Sequence, residues 1–505
     1  MLHIVNMIPN SLSGETNQDS EPNIAVNPQN TSQIAATAFT PAPMGGSNAP
    51  IYVSTDGGST WTLNTIVPGN GFAGTSDITI AFSPSNGTLY AGTLNGTTIA
   101  LNILRTGSFT SSTTMTTLVT RSNEDQPWVV AAGSGQDRVY VGNNDFNQAS
   151  GQTATVDLSQ NAATAPAPAG FSTVDIEKGT TTGQDGPPVR LAVHSDGTVY
   201  AALQRWTGGT FPNLTTDIVV VRDDSWGASA TPFSALVDSI SGIVGQRAAT
   251  SRWISWNALM GQERLGADIA IAVDPNNSST VWLAWCDRVG GVSGTDWTVH
   301  VSKSTDKGQT WSADLRTITN VKNPALAVNS SSTVGFLYQQ FTGTTWDTKL
   351  ELTTDGWATA VTPMVLQTVT SASPSPTFQP YIGDYVRLVS VSTSFYGVFC
   401  GNNTPNMANF PSGVTYQRNA NWTTHTLLST DGVTPVAASI DPFFFVWSEF
   451  ILPRGIIGRG PILPRPINPI ISRGPIARGP IFPAPPQPPE PIIGPGGPLH
   501  EDVEL

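Results

Sequence analysis

One short pattern recurs seven times along the chain, and this repeat constrains the fold more than any other feature. Each copy has an acidic, Asn or Pro residue, a short apolar segment, a polar turn and a second apolar segment. The copies are EPNIAVNPQNTSQIAATAF, DITIAFSPSNGTLYAGTL, DQPWVVAAGSGQDRVYVGNND, PVRLAVHSDGTVYAALQRW, DIAIAVDPNNSSTVWLAWCD, NPALAVNSSSTVGFLYQQF and DYVRLVSVSTSFYGVFCGNN. Their mean interval is about 60 residues when they are aligned on Ile24, Ile80, Trp128, Leu191, Ile271, Leu326 and Arg387. Such a unit has room for four strands, so the repeat predicts an all-β fold, a seven-bladed β-propeller of four-stranded antiparallel blades.

Composition supports this all-β prediction and excludes other classes. Only 12% of the residues are charged, the net charge is −13 and the isoelectric point is about 4.7, which argues against nucleic-acid binding. No run of about 18 apolar residues is present, so no membrane span is expected. Gly, Pro, Ser, Thr and Asn interrupt every stretch, which disfavours long helices. Cys286 and Cys400 end equivalent strands of blades that are not neighbours, so we expect free thiols.

Two segments share the pattern Ser-x-Asp-x-Gly-x-x-Trp in the second half of a repeat unit. They are STDGGSTW at residues 54–61 and STDKGQTW at residues 304–311, and degenerate relatives are RDDSWG from Arg222, TTDGW ending at Trp357 and RNANW ending at Trp422. The pattern predicts a hairpin turn, because Gly supplies a positive φ, Asp bonds turn amides and Trp packs between blades. The residues with this structural role are Ser54, Asp56, Gly58, Trp61, Ser304, Asp306, Gly308 and Trp311.

With these turns in phase with the repeat, the chain resembles the sialidase superfamily of Asp-box (BNR-repeat) β-propellers over residues 15–447. The phrase YIGDYVRL from Tyr381 is also similar to a segment of bacterial sialidase-like proteins. The resemblance implies a propeller over residues 1–450, with residues 2–8 as a strand that closes the ring. Residues 451–505 are expected to form a separate, Pro-rich extended tail.

Propeller topology places the start of every inner strand on one face and the Asp boxes on the opposite face. The positions three before the alignment anchors include five carboxylates, which are Glu21, Asp77, Asp125, Asp268 and Asp384. One hypothesis is a ring around the channel mouth that binds Ca²⁺ or polarises a sugar. The other is that each carboxylate caps backbone amides of the neighbouring blade. Apart from this Ca²⁺, the sequence indicates no cofactor.

The interval between blades 4 and 5 is the longest, at 80 residues, and its extra segment is rich in Arg and Trp. Arg forks bind carboxylates bidentately and Trp faces stack on sugars, so this sector is a candidate site for an acidic glycan. The alternative is that these residues pair with one another and cover the insertion's own core. The candidate ligand-binding residues are Arg205, Trp206, Arg252, Trp253, Trp256, Arg264, Asp287 and Arg288.

The resemblance implies a sialidase-type mechanism, which needs three arginines for the substrate carboxylate, a Tyr nucleophile with a Glu base, and an Asp acid/base. The chain departs from the family because its first arginine is Arg105 and no Arg-Ile-Pro precedes it. The candidate catalytic residues are Glu263, Asp268, Tyr381 and Tyr385. The leading hypothesis is a glycan-facing binding or structural propeller. The alternative is a glycoside hydrolase or polysaccharide lyase that acts on an acidic sugar and is not a standard sialidase.

The tail, residues 451–505, contains 15 Pro, 8 Gly and 11 Ile residues. So much Pro excludes helix and central strand, and Ile gains nothing by staying in water. We therefore expect an extended arm that docks on a protein partner or an identical subunit, against the alternatives of a disordered tail or one that wraps its own propeller. The low Lys content favours a protein that is extracellular or bound to a particle or cell surface, although the first residues have no signal-peptide pattern.

Overall fold

The computed structural model describes residues 1–39, 49–67, 76–95, 98–133, 135–163, 170–183, 189–210, 213–255, 268–291, 296–371 and 382–449. These ranges lie in the first of the two units into which the chain divides, Met1–Phe450 and Ile451–Leu505. Within them, the regular elements are 32 β-strands and two 3-10 turns, at Asn10–Leu12 and Met407–Asn409. None of the described helical segments has the length and hydropathy needed to span a bilayer.

The strands form seven blades, and the first strand, β1 (Leu2–Asn6), belongs to the last of them. Blades 1 to 3 are antiparallel sheets of four strands. Blade 1 consists of β2 (Ser20–Val26), β3 (Ile34–Phe39), β4 (Ala49–Ser54) and β5 (Thr62–Val67), and blade 2 of β6 (Ile78–Phe82), β7 (Leu89–Asn95), β8 (Ala100–Thr106) and β9 (Thr116–Ser122). Blade 3 consists of β10 (Glu124–Ala132), β11 (Arg138–Asp145), β12 (Ala154–Ser159) and β13 (Phe171–Asp175). Blades 4 to 6 repeat this order. Blade 4 consists of β14 (Arg190–Val193), β15 (Val199–Thr210), β16 (Asn213–Asp223) and β17 (Gln246–Ser255), and blade 5 of β18 (Ile269–Asp274), β19 (Asn277–Val289), β20 (Asp296–Ser304) and β21 (Arg316–Thr319). Blade 6 consists of β22 (Val321–Val328), β23 (Val334–Phe341), β24 (Thr345–Thr353) and β25 (Met364–Thr370).

Blade 7 combines strands from both ends of the first unit. It contains β26 (Arg387–Val391), β27 (Ser394–Asn402) and β28 (Thr415–Tyr416), then, after a small separate sheet of β29 (Ala420–Asn421), β30 (Thr426–Leu428) and β31 (Pro435–Val436), the long strand β32 (Ile440–Trp447). β1 pairs antiparallel with β32, from Leu2 opposite Trp447 to Asn6 opposite Phe443. Ile4 of β1 shares a buried core with Phe443 and neighbouring phenylalanines, so apolar packing stabilises the closure.

The inner strands neighbour one another in a closed ring that runs β2, β6, β10, β14, β18, β22, β26 and back to β2. The fold is therefore a seven-bladed β-propeller, and the prediction from the repeat is confirmed. The apolar core lies mainly between blades, where side chains of adjacent sheets interdigitate. Cys286 and Cys400 are both buried and free, as their separation predicts.

The two Ser-x-Asp-x-Gly-x-x-Trp segments lie in the turns between the third and fourth strands of blades 1 and 5. Ser54 Oγ accepts a hydrogen bond from Gly58 N and donates one to Asp56 Oδ1, both at 2.9 Å. Asp56 Oδ1 also accepts from Thr60 N at 2.9 Å. The segment at residues 304–311 repeats these bonds at 2.8 to 2.9 Å. In both segments, Ser and Asp side chains of the turn therefore accept hydrogen bonds from backbone amides of the same turn.

The tryptophans of these turns pack between blades, whereas one degenerate relative lies elsewhere. Trp61 is 2% exposed and contacts Phe444 of blade 7 with ring centroids 5.3 Å apart. Trp311 is partly buried in the core between blades 4 and 5. The segment RNANW is not a turn of this kind, because it lies between β28 and β30. Its Arg418 is buried and pairs with Asp441 at 2.9 Å.

Three inner strands share a β-bulge near the channel mouth, where each has one more residue than its partner strand. The first residue of each bulge has a positive φ of 50° to 55° and precedes a proline; the pairs are Glu21-Pro22, Gln126-Pro127 and Asn323-Pro324. Proline disfavours the right-handed helical region for the residue before it, and a bulge redirects side chains. The counterpart of Glu21 in blade 3 is therefore Gln126, so Asp125 does not occupy the predicted ring position.

Candidate functional site

Five side chains from blades 3, 4, 5 and 7 meet at the end of the channel where the inner strands begin. This axial cluster consists of Trp128, Arg190, Asp268, Tyr385 and Arg387. Trp128 follows the bulge of β10, and Asp268 directly precedes β18. Arg190 and Arg387 are the first residues of β14 and β26. Because all inner strands begin on the same face, residues distant in sequence come together there.

The axial cluster is built around the ring of Trp128. The guanidinium carbons of Arg190 and Arg387 lie 3.8 Å and 4.3 Å from its centroid. Tyr385 meets the same ring edge-on, with centroids 5.6 Å apart. Arg190 Nη2 pairs with Asp268 Oδ1 at 2.8 Å, and both side chains are 5% exposed. Two cations therefore pack against one aromatic ring, and one carboxylate pairs directly with the first of them.

Several polar atoms of the axial cluster have no hydrogen-bond partner in the described part of the chain. They are Nε of Arg190, Nε of Arg387 and the hydroxyl of Tyr385, and all three are buried. A cavity of about 70 Å³ lies beside them, lined by Trp128, Arg190, Asp268 and Arg387 among others. Buried donors without partners are costly, so this arrangement is typical of a binding site whose ligand supplies the acceptors.

Burial and neighbouring charges set the protonation of the axial cluster. Burial, followed by the charge of Arg190, lowers the pKa of Arg387 to about 9. Burial also raises the pKa of Asp268 to about 6, although Arg190 acts against this shift. The pKa of Tyr385 is raised well above its usual value by burial and then by nearby carboxylates, of which Asp77 acts most strongly. At neutral pH the phenol therefore keeps its proton, whereas Asp268 titrates close to neutrality.

The segment Gly383-Asp384-Tyr385 is held between blades 6 and 1. Asn323 Nδ2 donates to Gly383 O at 3.0 Å, and the same amide donates to Gln339 Oε1 at 2.8 Å. Gly383 has a φ of 97°, and a Cβ at this position would lie 2.4 Å from Glu21 N. The glycine of the YIGDYVRL phrase is thus required by both backbone conformation and close approach. It fixes the backbone two residues before Tyr385.

Replacing Gly383 with Ala is expected to lower the free energy of unfolding by about 3 kcal/mol, since strain at positive φ adds to a backbone clash. Gly413 is a matched control, because its φ is 85° and a Cβ there would meet no atom within 4 Å. Gly413→Ala should cost only the conformational strain, about 1 kcal/mol. Urea unfolding of both variants measures the difference. Equal losses would show that Gly383 is not packed against Glu21.

The five carboxylates predicted to form a cation-binding ring do not act as one group. Asp125 lies one residue before the ring position, which Gln126 occupies, and Asp268 is paired with Arg190. The other three act on the pKa of Tyr385; they are Glu21, Asp77 and Asp384. In the described residues, no group of three or more His, Cys, Asp or Glu side chains is arranged to hold a metal ion. The Ca²⁺ site therefore stays a prediction, and one member of the proposed ring, Asp268, already has Arg190 as its cationic partner.

Most residues predicted for the sector between blades 4 and 5 have structural partners instead. Arg205 Nε donates to Glu177 Oε1 at 2.8 Å, and both side chains are buried. Trp206 is 5% exposed within the apolar core that joins blades 4 to 6. Arg288 Nη1 donates to Asn213 Oδ1 at 3.3 Å. Four further candidates lie outside the described residues, which are Trp256, Glu263, Arg264 and Tyr381.

Asp287 is buried in blade 5 at the centre of a polar network that also includes Arg252 of blade 4. Its carboxylate contacts His300 Nε2 at 3.2 Å, Trp285 Nε1 at 3.2 Å and Arg252 Nη1 at 3.6 Å. Asp314 bonds the other ring nitrogen of His300 at 2.8 Å. Burial opposes charging of His300, but these carboxylates outweigh it and raise its pKa. Asp287 therefore has enough partners within the protein to explain its position.

Sequence reasoning singled out Tyr385 and Asp268 but missed Trp128, Arg190 and Arg387 as site residues. A signal for the arginines is present, because each interrupts an apolar inner-strand segment, where a buried charge needs a partner. These segments are PVRLAV in blade 4 and DYVRLVSV in blade 7.

In the sector between blades 4 and 5, Arg252 keeps 33% of its side chain exposed and Trp253 is partly buried. Neither residue reaches the axial cluster in the contacts described.

Comparison with known proteins gives similarity to solved structures alone, since no protein-family model and no curated protein match the chain. An α-L-arabinanase from Penicillium chrysogenum is 12% identical, with 87% of this chain and 97% of that chain covered and a TM-score of 0.42. An α-L-arabinofuranosidase from Fusarium graminearum is 10% identical, with 67% and 92% covered and a TM-score of 0.41. The NanB sialidase from Streptococcus pneumoniae is 9% identical, with 78% and 66% covered and a TM-score of 0.34. The strand pairing described above makes the chain a β-propeller, the fold to which the sialidase resemblance points.

Proposed function

We propose that the protein is a glycoside hydrolase that binds the carboxylate of an acidic sugar at the axial cluster. One observation carries this proposal: the guanidinium groups of Arg190 and Arg387 lie over the ring of Trp128, and each leaves a buried Nε without a partner among the described residues. Desolvated guanidinium groups are costly unless an anion joins them. The proposed site is thus on the propeller axis, not in the sector between blades 4 and 5.

The size and charge of the cavity favour a carboxylate. Complete ligand pockets occupy roughly 300–1,000 Å³, whereas this cavity measures about 70 Å³. It therefore accepts a carboxylate group, and the sugar ring would lie outside it. A guanidinium fork matches both oxygens of a carboxylate. An anion next to Arg190 and Arg387 would also offset burial and the charge of Arg190, which together lower the pKa of Arg387.

Tyr385 and Asp268 can supply the groups that hydrolysis requires. In the first proposed step, Tyr385 Oη forms a bond to the anomeric carbon while the bond from that carbon to the leaving oxygen breaks. Because Tyr385 Oη makes no direct hydrogen bond among the described residues, its proton would pass through one water to Asp77, the carboxylate with the strongest charge effect on it, and the leaving oxygen takes a proton from Asp268. Water then attacks the same carbon, gives one proton to Asp268 and releases Tyr385, which recovers its proton from Asp77. Two displacements at one carbon retain its configuration.

This role of Asp268 predicts a pH dependence of activity. Burial raises the pKa of Asp268 to about 6, so its acid form is present below that pH and is lost as the pH rises through it. On the alkaline side of pH 6, we expect kcat/KM to fall about tenfold per pH unit. This is the limiting slope when one protonated group is essential. A pH profile between 4.5 and 8 measures this limb. Asp268→Asn should abolish both the limb and most of the activity, and an identical limb in that variant would assign it to another group.

The test of the proposed function uses the full chain and a panel of 4-methylumbelliferyl glycosides. N-acetylneuraminic and glucuronic acid conjugates are compared with neutral arabinofuranose and galactose conjugates. We expect turnover of an acidic conjugate at least a hundredfold faster than of the neutral ones. Preferential hydrolysis of a neutral conjugate would contradict the proposal. Binding of acidic sugars without turnover would favour a glycan-binding propeller, which needs the same arginines but not the hydroxyl of Tyr385.

A further inference from the structure

Beyond the axial cluster, the channel continues as a cavity of about 220 Å³ whose lining side chains are mostly apolar and which the proposed reaction does not use. We define this axial shaft by residues of blades 1, 2, 3 and 7, which are Ala25, Ala81, Ala131, Val389 and Val391. Arg387 and Ser390 provide the polar side chains of its described lining. Ser390 Oγ donates to Val328 O at 2.7 Å, so its hydroxyl is already bonded within the protein. Among the described lining side chains, the guanidinium of Arg387 is therefore the remaining polar group.

Arg387 marks the inner end of the axial shaft. It lines both the shaft and the polar cavity at the axial cluster, so the two spaces adjoin at this side chain. The other end of the shaft is marked by Pro28, Pro84 and Val391, which lie at or beyond the ends of β2, β6 and β26. Inner strands end on the face that carries the Ser-x-Asp-x-Gly-x-x-Trp turns. The shaft is thus reached from the face opposite to the proposed active site.

We propose that the axial shaft binds a straight-chain aliphatic carboxylate of medium length, with the hydrocarbon in the shaft and the carboxylate on Arg387. Apolar side chains in the wall of the shaft favour hydrocarbon over water. The guanidinium selects an anionic head over a neutral or cationic one. β26, which runs along the shaft, has five residues and is about 16 Å long. That length accommodates an extended eight-carbon chain.

A consequence for the hydrolase follows from the shared side chain. The guanidinium of Arg387 cannot make its strongest hydrogen bonds to a sugar carboxylate and to an aliphatic carboxylate at the same time. Octanoate should therefore act as an inhibitor that competes with acidic substrate although it enters from the opposite face. This consequence rests on the proposed function, whereas binding of the aliphatic carboxylate does not, so the two can fail separately.

Isothermal titration of the native full chain with octanoate, octylamine, 1-octanol and acetate tests the proposal without any substrate. We expect octanoate to bind at least tenfold more tightly than 1-octanol, and octylamine and acetate to bind more weakly than both. The difference between octanoate and 1-octanol measures the contribution of the guanidinium to binding. The weaker binding of acetate measures the contribution of the apolar side chains. Octylamine binding as tightly as octanoate, or acetate binding equally well, would overturn the proposal.

Two variants locate the site. Ala81→Leu fills the shaft and should weaken octanoate binding at least tenfold, whereas Arg387→Met should abolish the preference for octanoate over 1-octanol. Ala248→Leu makes the same change on β17, away from the shaft, and should bind octanoate like the native chain. Thermal unfolding shows that each variant is folded before titration. Unchanged octanoate affinity in folded Ala81→Leu and in Arg387→Met would place the ligand elsewhere.

Discussion

Replacing Arg387 with Met is expected to weaken the binding of an acidic sugar about a hundredfold while making the protein more stable. Removing the charged partner of a desolvated carboxylate costs about 2–5 kcal/mol, and 1.4 kcal/mol corresponds to about tenfold in affinity. Stability should rise by about 1–4 kcal/mol, because burial and the charge of Arg190 disfavour the guanidinium of Arg387 in the folded state. Met retains an apolar contact with Trp128. Calorimetric titration and urea unfolding measure the two effects.

Arg316→Met is the matched control for this substitution. Arg316 forms a bidentate pair with Glu351, at 2.6 and 3.0 Å, and Glu351 is fully buried. Removing this arginine leaves an unpaired buried carboxylate, so it should lower stability by about 3 kcal/mol without changing sugar affinity. Opposite signs of the stability change would separate a binding arginine from a structural one. If Arg387→Met instead lowers stability and leaves affinity unchanged, Arg387 has a structural role.

Replacing Tyr385 with Phe should reduce kcat about a thousandfold and leave sugar affinity within about threefold of the native value. The ring keeps its edge-on contact with Trp128, so the shape of the site is retained. The hydroxyl has no hydrogen-bond partner among the described residues, and its removal should change the free energy of unfolding by less than about 1 kcal/mol. Steady-state kinetics on the acidic conjugate, with urea unfolding in parallel, measure both quantities.

Tyr338→Phe provides the comparison, because Tyr338 Oη donates to Glu351 Oε1 at 2.8 Å in a buried setting. Its loss should destabilise the protein by about 1–3 kcal/mol and leave kcat unchanged. A Tyr385→Phe variant with native kcat would rule out Tyr385 as the nucleophile. Such a result, combined with tight sugar binding, would favour the glycan-binding propeller over the hydrolase.

Much of the fold could be predicted from the sequence because a propeller repeats the same four-stranded blade along the chain. Alternating apolar segments, turn residues at fixed offsets and a mean spacing of about 60 residues indicate four-stranded blades. The strand that closes the ring could be placed because Leu2–Asn6 is an apolar segment without a partner in blade 1. The sequence alignment is wrong by one residue in blade 3, because it places Trp128 rather than Val129 opposite Ile24, although blades 1 and 6 carry the same bulge. The pairing of Glu21, Gln126 and Asn323 with following prolines is the signal that corrects it.

The site could be predicted less completely, because its contacts cross blades. Topology predicted that the starts of the inner strands share one face, and Tyr385 of the axial cluster was among the candidates there. It could not show that Arg205 is already paired with Glu177, from the segment that follows blade 3, since nothing local in the sequence links them. Trp206 was assigned to a sugar although it packs in the core, because Trp serves both roles equally well in sequence. The docking of residues 451–505 on a protein partner or an identical subunit stays a prediction.

Calorimetric titration of the native full chain with glucuronate, galacturonate and N-acetylneuraminate, each beside its methyl ester, tests the axial cluster most directly. The ester keeps the sugar and removes the negative charge that Arg190 and Arg387 are proposed to bind. We expect at least one acid to bind at least tenfold more tightly than its ester, and Arg387→Met to abolish that difference. Esters that bind as tightly as their acids, or a preference for the acid that survives in Arg387→Met, would show that the arginine pair is not a carboxylate site.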